Sequence, residues 1–399
     1  MSKLKFVVFI IVLIISTKGW CCGNRNDNMI EKGLSVSVKQ TKLMAESLWD
    51  KKDLLPRTLD KDGKLITSKS WWWTSGFFPG TLWYLYEMTN DSLLAKYAKE
   101  YTSCIEKEKY NKGNHDVGFM LYCSFGNGYR LTGDQKYKQV LLKGSESLST
   151  RFKDKTGVIR SWDFNKKEWQ YPVIIDNMMN LELLEWASKN SDNKKYDDIA
   201  RSHADVTMKN HFRDDYSCWH VVSYDTISGK PHKKQTRQGF SDSSTWARGE
   251  AWALYGFTMM YRETREMRYL EQAKHVANFI LTHPRMPKDG IPYWDFDAPD
   301  IPNAYRDASA AAVMASAFIE LSTFVEDKQA RRYLKMAERQ LKTLSSPEYL
   351  AEPGTNGNFI LKHSVGSLPE NSEVDVPLTY ADYYYIEAIV RLKKLKEIL

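Results

Sequence analysis

Residues 115–152 read HDVGFMLYCSFGNGYRLTGDQKYKQVLLKGSESLSTRF, and they contain two helical patterns separated by one short turn. Apolar residues recur at helical spacing on both sides of Thr132-Gly133-Asp134. The Asp134 side chain is suited to accept a hydrogen bond from the first turn of the second helix. The stretch therefore predicts a helical hairpin.

The same pattern recurs along the chain. Short turns at 89–92 and 189–192 resemble 132–134, whereas the intervening loops 109–114, 157–172, 214–244 and 284–305 are longer and rich in Gly, Trp and Tyr. Short turns alternating with long loops are typical of stacked helical hairpins, and no solenoid-like sequence repeat is present. We therefore predict an all-α fold, an (α/α)6 toroid with an inner and an outer ring. The long loops would build a cleft on one side, with short strands around 214–231. The twelve predicted helices are 34–50, 75–89, 91–108, 115–132, 134–152, 174–189, 193–211, 245–265, 266–282, 306–325, 327–344 and 377–396.

The composition is that of a globular protein. The 399 residues are 42% hydrophobic and 27% charged, and no stretch is typical of a domain linker, so residues 30–399 are predicted to form a single catalytic domain. The net charge of +7 favours an anionic ligand. Because the charge is spread along the chain without a basic block, it argues against nucleic acid as a partner.

The first 22 residues have the pattern of a signal peptide. Lys3 and Lys5 precede the apolar run 6–15, which is too short to span a bilayer. Cys21 and Cys22 follow directly and invite lipid attachment, but Trp20 poorly matches the small residue that such a site prefers. Ordinary cleavage and a lipid anchor both stay open. We expect export, to the periplasm or a lipid-anchored position in a Gram-negative bacterium, without a transmembrane segment.

The remaining cysteines, Cys104, Cys123 and Cys218, have neither disulfide-framework nor metal-binding spacing, so buried apolar positions are expected. The sequence also lacks a phosphate-binding glycine loop, a Gly-x-Ser-x-Gly elbow and a zinc-binding helix. No metal and no organic cofactor are predicted. Carboxylates are the chemistry that remains.

Asp116 and Asp176 each open a predicted helix at the long-loop end. Each could simply cap its helix. In the toroid, however, inner helices start at that end, so both carboxylates would face one cleft. Two carboxylates in an aromatic-lined cleft are the usual equipment for acid/base chemistry on a sugar. His115 is adjacent to Asp116 and could position it or pack in the core.

Arg248 lies near the start of a helix, where its charge opposes the helix dipole and calls for an anionic partner. That partner could be the carboxylate of a ligand or an acid of the chain such as Glu250. His220 and Gln238, in the 214–244 loop, are further candidates for substrate contacts.

Three consecutive tryptophans, Trp71, Trp72 and Trp73, cannot all face a core, so at least one should reach solvent or the cleft, where a sugar could stack. Trp162, in the 157–172 loop, is a second stacking candidate. Trp246 could contact substrate or belong to the core.

Five stretches together resemble glycoside hydrolase family 88, the unsaturated glucuronyl hydrolases, and they span nearly the whole mature chain in order. The related family 105, which acts on unsaturated rhamnogalacturonan, is a poorer match. The stretches are WTSGFFPG at 73–80, HDVGF at 115–119, IIDNMMNL at 174–181, WARGEAW at 246–252 and RDASA at 306–310.

This resemblance implies an (α/α)6 toroid that removes a terminal 4,5-unsaturated uronic acid from lyase-generated oligosaccharides. It implies that Asp176 protonates C4 of the enol ether and helps water add at C5, and that Asp116 holds the ring hydroxyls. It implies no cofactor. It places substrate contacts at His220, Gln238, Arg248, Trp73 and Trp162.

Some members grip a sulfate through Ser-x-x-Ser-x-Lys. Here Ser364 and Ser367 are present, but Pro369 stands in the lysine position, which argues against the same sulfate preference. A non-catalytic glycan-binding protein with the same fold is the alternative from another class.

Overall fold

The computed structural model describes residues 23–398, with side chains from residue 30 onward. The predicted signal peptide, 1–22, lies outside the described residues. Within them, each of the twelve predicted segments contains a helix; one segment is divided into α4 and α5 by a π-helical turn, Tyr122–Gly126. The helices are α1 Gly23–Ser47, α2 Phe77–Thr89, α3 Ser92–Ser103, α4 Val117–Leu121, α5 Asn127–Thr132, α6 Gln135–Ser149, α7 Asn177–Asn190, α8 Lys195–Asn210, α9 Ala247–Thr264, α10 Met267–Thr282, α11 Ala308–Ser322, α12 Asp327–Leu344 and α13 Thr379–Ile398.

The helices form two concentric rings, as predicted. The inner ring runs α2, α4–α5, α7, α9, α11 and α13, and α13 packs back against α2 to close it. Burial depends on the ring to which a helix belongs. Inner helix α11, which begins with Ala-Ser-Ala-Ala-Ala, is buried on nearly all sides. Outer helix α12 buries one stripe of residues and exposes its charged side chains. The core fills both the space between the two layers and the inside of the inner ring, where Phe77, Phe119, Trp252 and Tyr384 contact one another.

The short turns lie between each inner helix and the outer helix that follows it. In two of them an aspartate caps the outer helix: Asp91 accepts from the Leu93 amide and Asp134 from the Lys136 amide, each at 2.9 Å. All inner helices therefore begin on the opposite side, where the long loops are. The predicted placement of the cleft is confirmed.

Several short strands lie on the long-loop side of the toroid. The expected pair around 214–231 is present as β6 Val221–Tyr224 and β7 Pro231–Gln235, which with β5 Pro172–Ile174 forms the sheet β5-β6-β7. Three further hairpins were not predicted, because strands of two to five residues are too short to show a period of two. They are β1 Leu55–Leu59 with β2 Leu65–Ser68, β3 Phe152–Lys153 with β4 Val158–Ile159, and β8 Ser364–Ser367 with β9 Ser372–Val376.

Helix α1 extends beyond its prediction, because the chain is already helical at Gly23, the first described residue, and not only from residue 34. Residues 23–28 are Gly, Asn, Arg and Asp without an apolar face, so periodicity could not reveal them. The domain start predicted at residue 30 therefore falls inside a helix.

Cys104, Cys123 and Cys218 are unbonded to one another; Cys123 and Cys218 are buried as expected, whereas Cys104 is only partly buried. Among residues 23–398, no helix has both the length and the apolar content needed to cross a bilayer.

Candidate active site

A cleft of about 380 Å³ opens on the long-loop side of the toroid. Its walls come from the loops that precede the inner helices, together with the β8–β9 hairpin. Asp116 and Asp176 both line it, which confirms that the two carboxylates share one cleft. The lining residues are Arg57, Trp71, Trp72, Trp73, Asn114, His115, Asp116, Ser161, Trp162, Phe164, Ile174, Asp176, His220, Arg237, Gln238, Arg248, Gly366, Ser367, Glu370, Ser372, Glu373 and Tyr380.

The β5–β6 ladder brings Asp176 and His220 together. Ile174 pairs with Val221 in antiparallel register, and the Ile175 amide donates to the His220 carbonyl at 3.1 Å. Asp176 leaves β5 where His220 enters β6, so neighbouring strands present both side chains at one sheet end.

The Asp176 carboxyl does not cap α7, although it occupies the N-cap position. Its Oδ2 is buried and has no hydrogen-bond partner among the described residues. Burial raises the pKa of Asp176 to about 7, with the Asp116 charge adding to the rise and Arg248 opposing it. This carboxyl is thus available as a proton donor near neutral pH.

His220 is held as a neutral imidazole. Its Nδ1 accepts the backbone amides of Arg237 and Gln238, at 3.1 and 3.2 Å, so the ring hydrogen resides on Nε2. Burial, followed by the nearby Arg248 charge, holds the pKa of His220 well below its usual range. The Nε2 atom lies 3.7 Å from Asp176 Oδ2.

Asp116 also leaves its helix uncapped. Burial raises the pKa of Asp116 to about 7, and the nearby Asn180 side chain opposes the rise. His115 Nε2 lies 3.4 Å from Asp116 Oδ1, and burial lowers the pKa of His115 to about 3, so this histidine is a neutral neighbour. The backbone amide of His115 donates to the Ser161 carbonyl at 3.2 Å, and this hydrogen bond fixes the start of α4.

Arg248 has an internal anionic partner. Its Nη1 donates to Asp307 Oδ2 at 3.0 Å and to the Val365 carbonyl, and its Nη2 donates to the Gly366 carbonyl at 2.6 Å. Glu250, the partner considered from the sequence, instead accepts the Cys218 amide at 2.7 Å. Arg248 lines the cleft, but the anion that its position required is supplied by the chain.

The aromatic residues divide between cleft and core. Trp71 is 58% exposed, and Trp73 and Trp162 line the cleft beside it. Trp246 is buried behind the cleft wall, with the His220 ring tilted against it at a centroid distance of 4.5 Å and the Arg248 guanidinium 4.4 Å from its ring. The structure thus assigns Trp246 to packing rather than to the lining.

The two serines of β8 also differ. Ser367 lines the cleft, whereas Ser364 is fully buried outside the lining. Gln238 lines the cleft and donates to the Gly366 carbonyl at 3.0 Å, which ties the 214–244 loop to the β8–β9 hairpin.

Comparison with known proteins places these features in one family. The sequence profile described as Glycosyl Hydrolase Family 88 matches residues 53–394. The chain is 51% identical to an unsaturated glucuronyl hydrolase of Formosa agariphila, over 81% of this chain and 80% of the relative. It is 34% identical to an unsaturated chondroitin disaccharide hydrolase of Streptococcus pneumoniae, over 85% of this chain and 86% of the relative.

The chain belongs to glycosyl hydrolase family 88. It is therefore a glycosidase. Among solved structures, an unsaturated glucuronyl hydrolase specific for heparin superimposes with a TM-score of 0.90 at 51% identity, covering 93% of this chain and 98% of that one. The enzyme from Bacillus sp. GL1 superimposes with a TM-score of 0.85 at 28% identity, covering 92% and 97%. These matches confirm the predicted toroid.

Sequence reasoning missed several residues of this family 88 chain that line the cleft or lie buried behind its lining. Asn177 and Asn180 follow Asp176 on α7; Asn180 accepts the Phe119 amide at 2.8 Å and so fixes α4 next to α7. Their signal was the Asn-Met-Met-Asn spacing, which puts both amides on one helix face. Arg57, Arg237, Glu370, Glu373 and Tyr380 had no local signal, because loops distant in sequence bring them to the cleft.

Proposed function

We propose that this family 88 glycosidase removes a terminal 4,5-unsaturated uronic acid from lyase-generated oligosaccharides by hydrating the C4=C5 enol ether. The observation that carries the proposal is the Asp176 carboxyl, which is unpaired at Oδ2 and has a pKa near neutrality in an aromatic-lined cleft. Such a carboxyl can deliver a proton in a neutral solution.

In the proposed reaction, protonated Asp176 transfers its proton to C4, and positive charge develops over C5 and the ring oxygen. Water then adds at C5 while the Asp176 carboxylate takes up its proton. The product is a hemiketal that opens and releases the partner sugar. Because the attack is not at the glycosidic carbon, the separation of the two carboxyls does not predict a stereochemical outcome.

Asp116 is assigned the ring hydroxyls and the support of the developing charge. His220 is neutral, and its protonated Nε2 lies 3.7 Å from Asp176 Oδ2. It therefore stabilises the carboxylate that remains after proton transfer without competing for the proton. Trp73 and Trp162 offer ring faces to the sugar, and Gln238 and Ser367 offer polar contacts.

We propose that Arg248 acts on the uronate carboxylate mainly through its charge. Its Nη hydrogen bonds go to Asp307 and the β8 carbonyls, so direct bidentate recognition would require those contacts to open. The sequence-based prediction of a direct contact remains to be tested.

The experiment follows the ultraviolet absorbance of the enol ether in D₂O. Hydration at C5 predicts that absorbance is lost as sugar is released and that the uronate product carries deuterium at C4. Ordinary glycoside cleavage would instead release the unsaturated uronate with its C4=C5 bond intact, so sugar release would precede the loss of absorbance. A saturated disaccharide is the matched control, and turnover of it would contradict the proposal.

The substrate class that we propose is glycosaminoglycan-derived disaccharide, with heparin-type units first. Support comes from the 51% identity to a structure described as specific for heparin, against 34% to a chondroitin disaccharide hydrolase. A panel of heparin, chondroitin and hyaluronan disaccharides, compared by kcat/KM, tests the order.

We also propose that the chain is exported, on the strength of Lys3, Lys5 and the apolar run at 6–15. Cell fractionation combined with Cys21→Ser and Cys22→Ser variants distinguishes a cleaved signal from a lipid anchor.

A further inference from the structure

The Arg237 guanidinium packs against two aromatic rings of the cleft wall, Trp162 and Phe164, which together are called the aromatic ledge. The rings of Trp162 and Phe164 stack with centroids 5.2 Å apart and planes inclined by 12°. The Arg237 guanidinium carbon lies 4.8 Å from the Phe164 centroid and 5.5 Å from that of Trp162. The ledge fixes the cation while leaving its side chain 32% exposed toward the cleft.

The edge of this guanidinium is occupied by a carboxylate. Arg237 Nε and Nη2 each lie 2.8 Å from Glu370 Oε1. Glu370 is 45% exposed and lies in the turn between β8 and β9. Because an ion pair that is this exposed contributes little stability, another anion can replace Glu370 at small cost.

The cleft lining also contains a second Arg–Glu pair, which serves as a comparison. Arg57 Nε lies 2.5 Å from Glu373 Oε1, and its guanidinium carbon is 4.1 Å from the Trp72 ring centroid. Glu373 is only 13% exposed and packs against Gly366, where an added Cβ would lie 2.4 Å from Glu373 Oε2. This carboxylate is wedged into the hairpin and is the harder of the two to displace.

Resting on the function proposed above, we propose that Arg237 reads a sulfate or sulfamate on the sugar adjacent to the unsaturated uronate, and that Glu370 is its resting counter-ion, displaced by that group. A guanidinium edge matches two oxygens of a tetrahedral anion in the way it matches a carboxylate. The hairpin turn itself offers no cation, since Leu368, Pro369 and Glu370 follow Ser367.

Glu370 therefore imposes selectivity as well as occupying the site. With an unsulfated sugar, the Arg237–Glu370 pair stays closed and nothing is exchanged. With a sulfated sugar, the anion takes the guanidinium edge and Glu370 turns into solvent. With Glu370 absent, the cation would be open to any anionic substituent. This arrangement predicts that Arg237 confers the preference for a sugar with a charged substituent, and that the Glu370 carboxylate limits this preference.

The test compares two unsaturated heparin-type disaccharides that differ in one sulfate, and the measured quantity is the ratio of their kcat/KM values. Arg237→Gln should lower the sulfated-to-unsulfated ratio by about tenfold or more, as expected for loss of a charged hydrogen bond. Glu370→Gln should raise it by about threefold or more. Arg57→Gln removes the same charge from the second Arg–Glu pair, and it should change the ratio by less than Arg237→Gln or Glu370→Gln does.

The double variant Arg237→Gln/Glu370→Gln tests whether the effects of Arg237 and Glu370 on the ratio are coupled. We expect no gain from Glu370→Gln once Arg237 is absent. An equal gain in both backgrounds would mean that Glu370 acts only through the overall field, and it would overturn the proposal. A ratio that falls as much in Arg57→Gln as in Arg237→Gln would also overturn it.

Calorimetric binding of the same disaccharides separates this inference from the proposed function. If the wild-type enzyme turned over neither disaccharide, the proposed function would fall. A sulfate-dependent affinity lost only in Arg237→Gln would still support the assignment of Arg237. Absence of any sulfate-dependent affinity in the wild type would overturn it.

Discussion

His220 Nε2 lies 3.7 Å from Asp176 Oδ2, and the two residues are 44 positions apart on neighbouring ends of β5 and β6. Two backbone amides donate to the other ring nitrogen, so the ring hydrogen is on Nε2, the nitrogen near the carboxyl. A neutral donor at this distance favours the ionised product of proton transfer without drawing the proton away beforehand. This pairing is the core of the proposed chemistry.

Replacing Asp176 by Asn should lower kcat by about 10²–10⁴-fold or more, because the amide is nearly isosteric but delivers no proton. Loss of enol-ether absorbance measures the rate, and circular dichroism confirms the fold. The exposed Asp192→Asn is the matched control and should behave as wild type. An Asp176→Asn enzyme that retains more than about a tenth of the wild-type rate would refute the assigned role.

Asp116→Asn should also be severely impaired but still bind substrate, since an amide preserves part of the hydrogen bonding to ring hydroxyls. Calorimetry with an unsaturated disaccharide measures binding, and the absorbance assay measures turnover. Normal turnover would remove Asp116 from the site. Loss of binding with residual turnover would point instead to a purely structural role.

Arg248→Ala should destabilise the protein and lower kcat/KM by about one to two orders of magnitude. The variant leaves buried Asp307 without its cation and releases the β8 carbonyls, and breaking such a pair costs about 3–5 kcal/mol. Arg248→Lys should recover only part of both losses, because an ammonium cannot reproduce the fork. Thermal unfolding and kinetics are measured together. Unchanged kinetics in Arg248→Ala would show that the uronate is read elsewhere.

The rate should fall as the pH rises above neutrality. Burial raises the pKa values of both Asp176 and Asp116 to about 7, and protonated Asp176 is the reactive form. The two carboxyls titrate as a coupled pair, so the alkaline limb of kcat/KM belongs to the pair. His220 stays neutral across this range and adds no limb. A profile that is flat between pH 5 and 9 would contradict the acid role.

Glu185→Gln should stabilise the protein selectively at alkaline pH. Glu185 is 1% exposed on α7, and burial raises its pKa to about 8. Between its usual pKa and about 8, the folded state binds more protons than the unfolded state, so stability is full at low pH and is lost as the pH rises. We expect a gain of about 2–4 kcal/mol at pH 9 and little at pH 4.

Denaturant unfolding at both pH values measures the Glu185→Gln effect. Exposed Glu348→Gln is the control. Equal effects of Glu185→Gln at both pH values would contradict the assignment.

Local sequence patterns were enough to predict the helices and their order. Helical periodicity is local, so twelve segments and the short turns capped by Asp91 and Asp134 could be predicted from it. The alternation of short turns with long loops fixed the side on which Asp116 and Asp176 open. Predictions were weakest where the signal was shortest, as at the polar start of α1 and in the small hairpins.

Tertiary structure alone decided which groups meet in the cleft. Arg248 donates to Asp307, which is 59 positions away in the sequence, and to the Val365 carbonyl, which is 117 positions away. The β8–β9 hairpin brings Glu370 to Arg237. The Arg248 contacts form because α9 packs beside α11 and α11 contacts β8, which brings segments distant in sequence side by side. Local periodicity carries no information about such neighbours, since a side chain's partner depends on the position of whole helices and not on its own sequence surroundings.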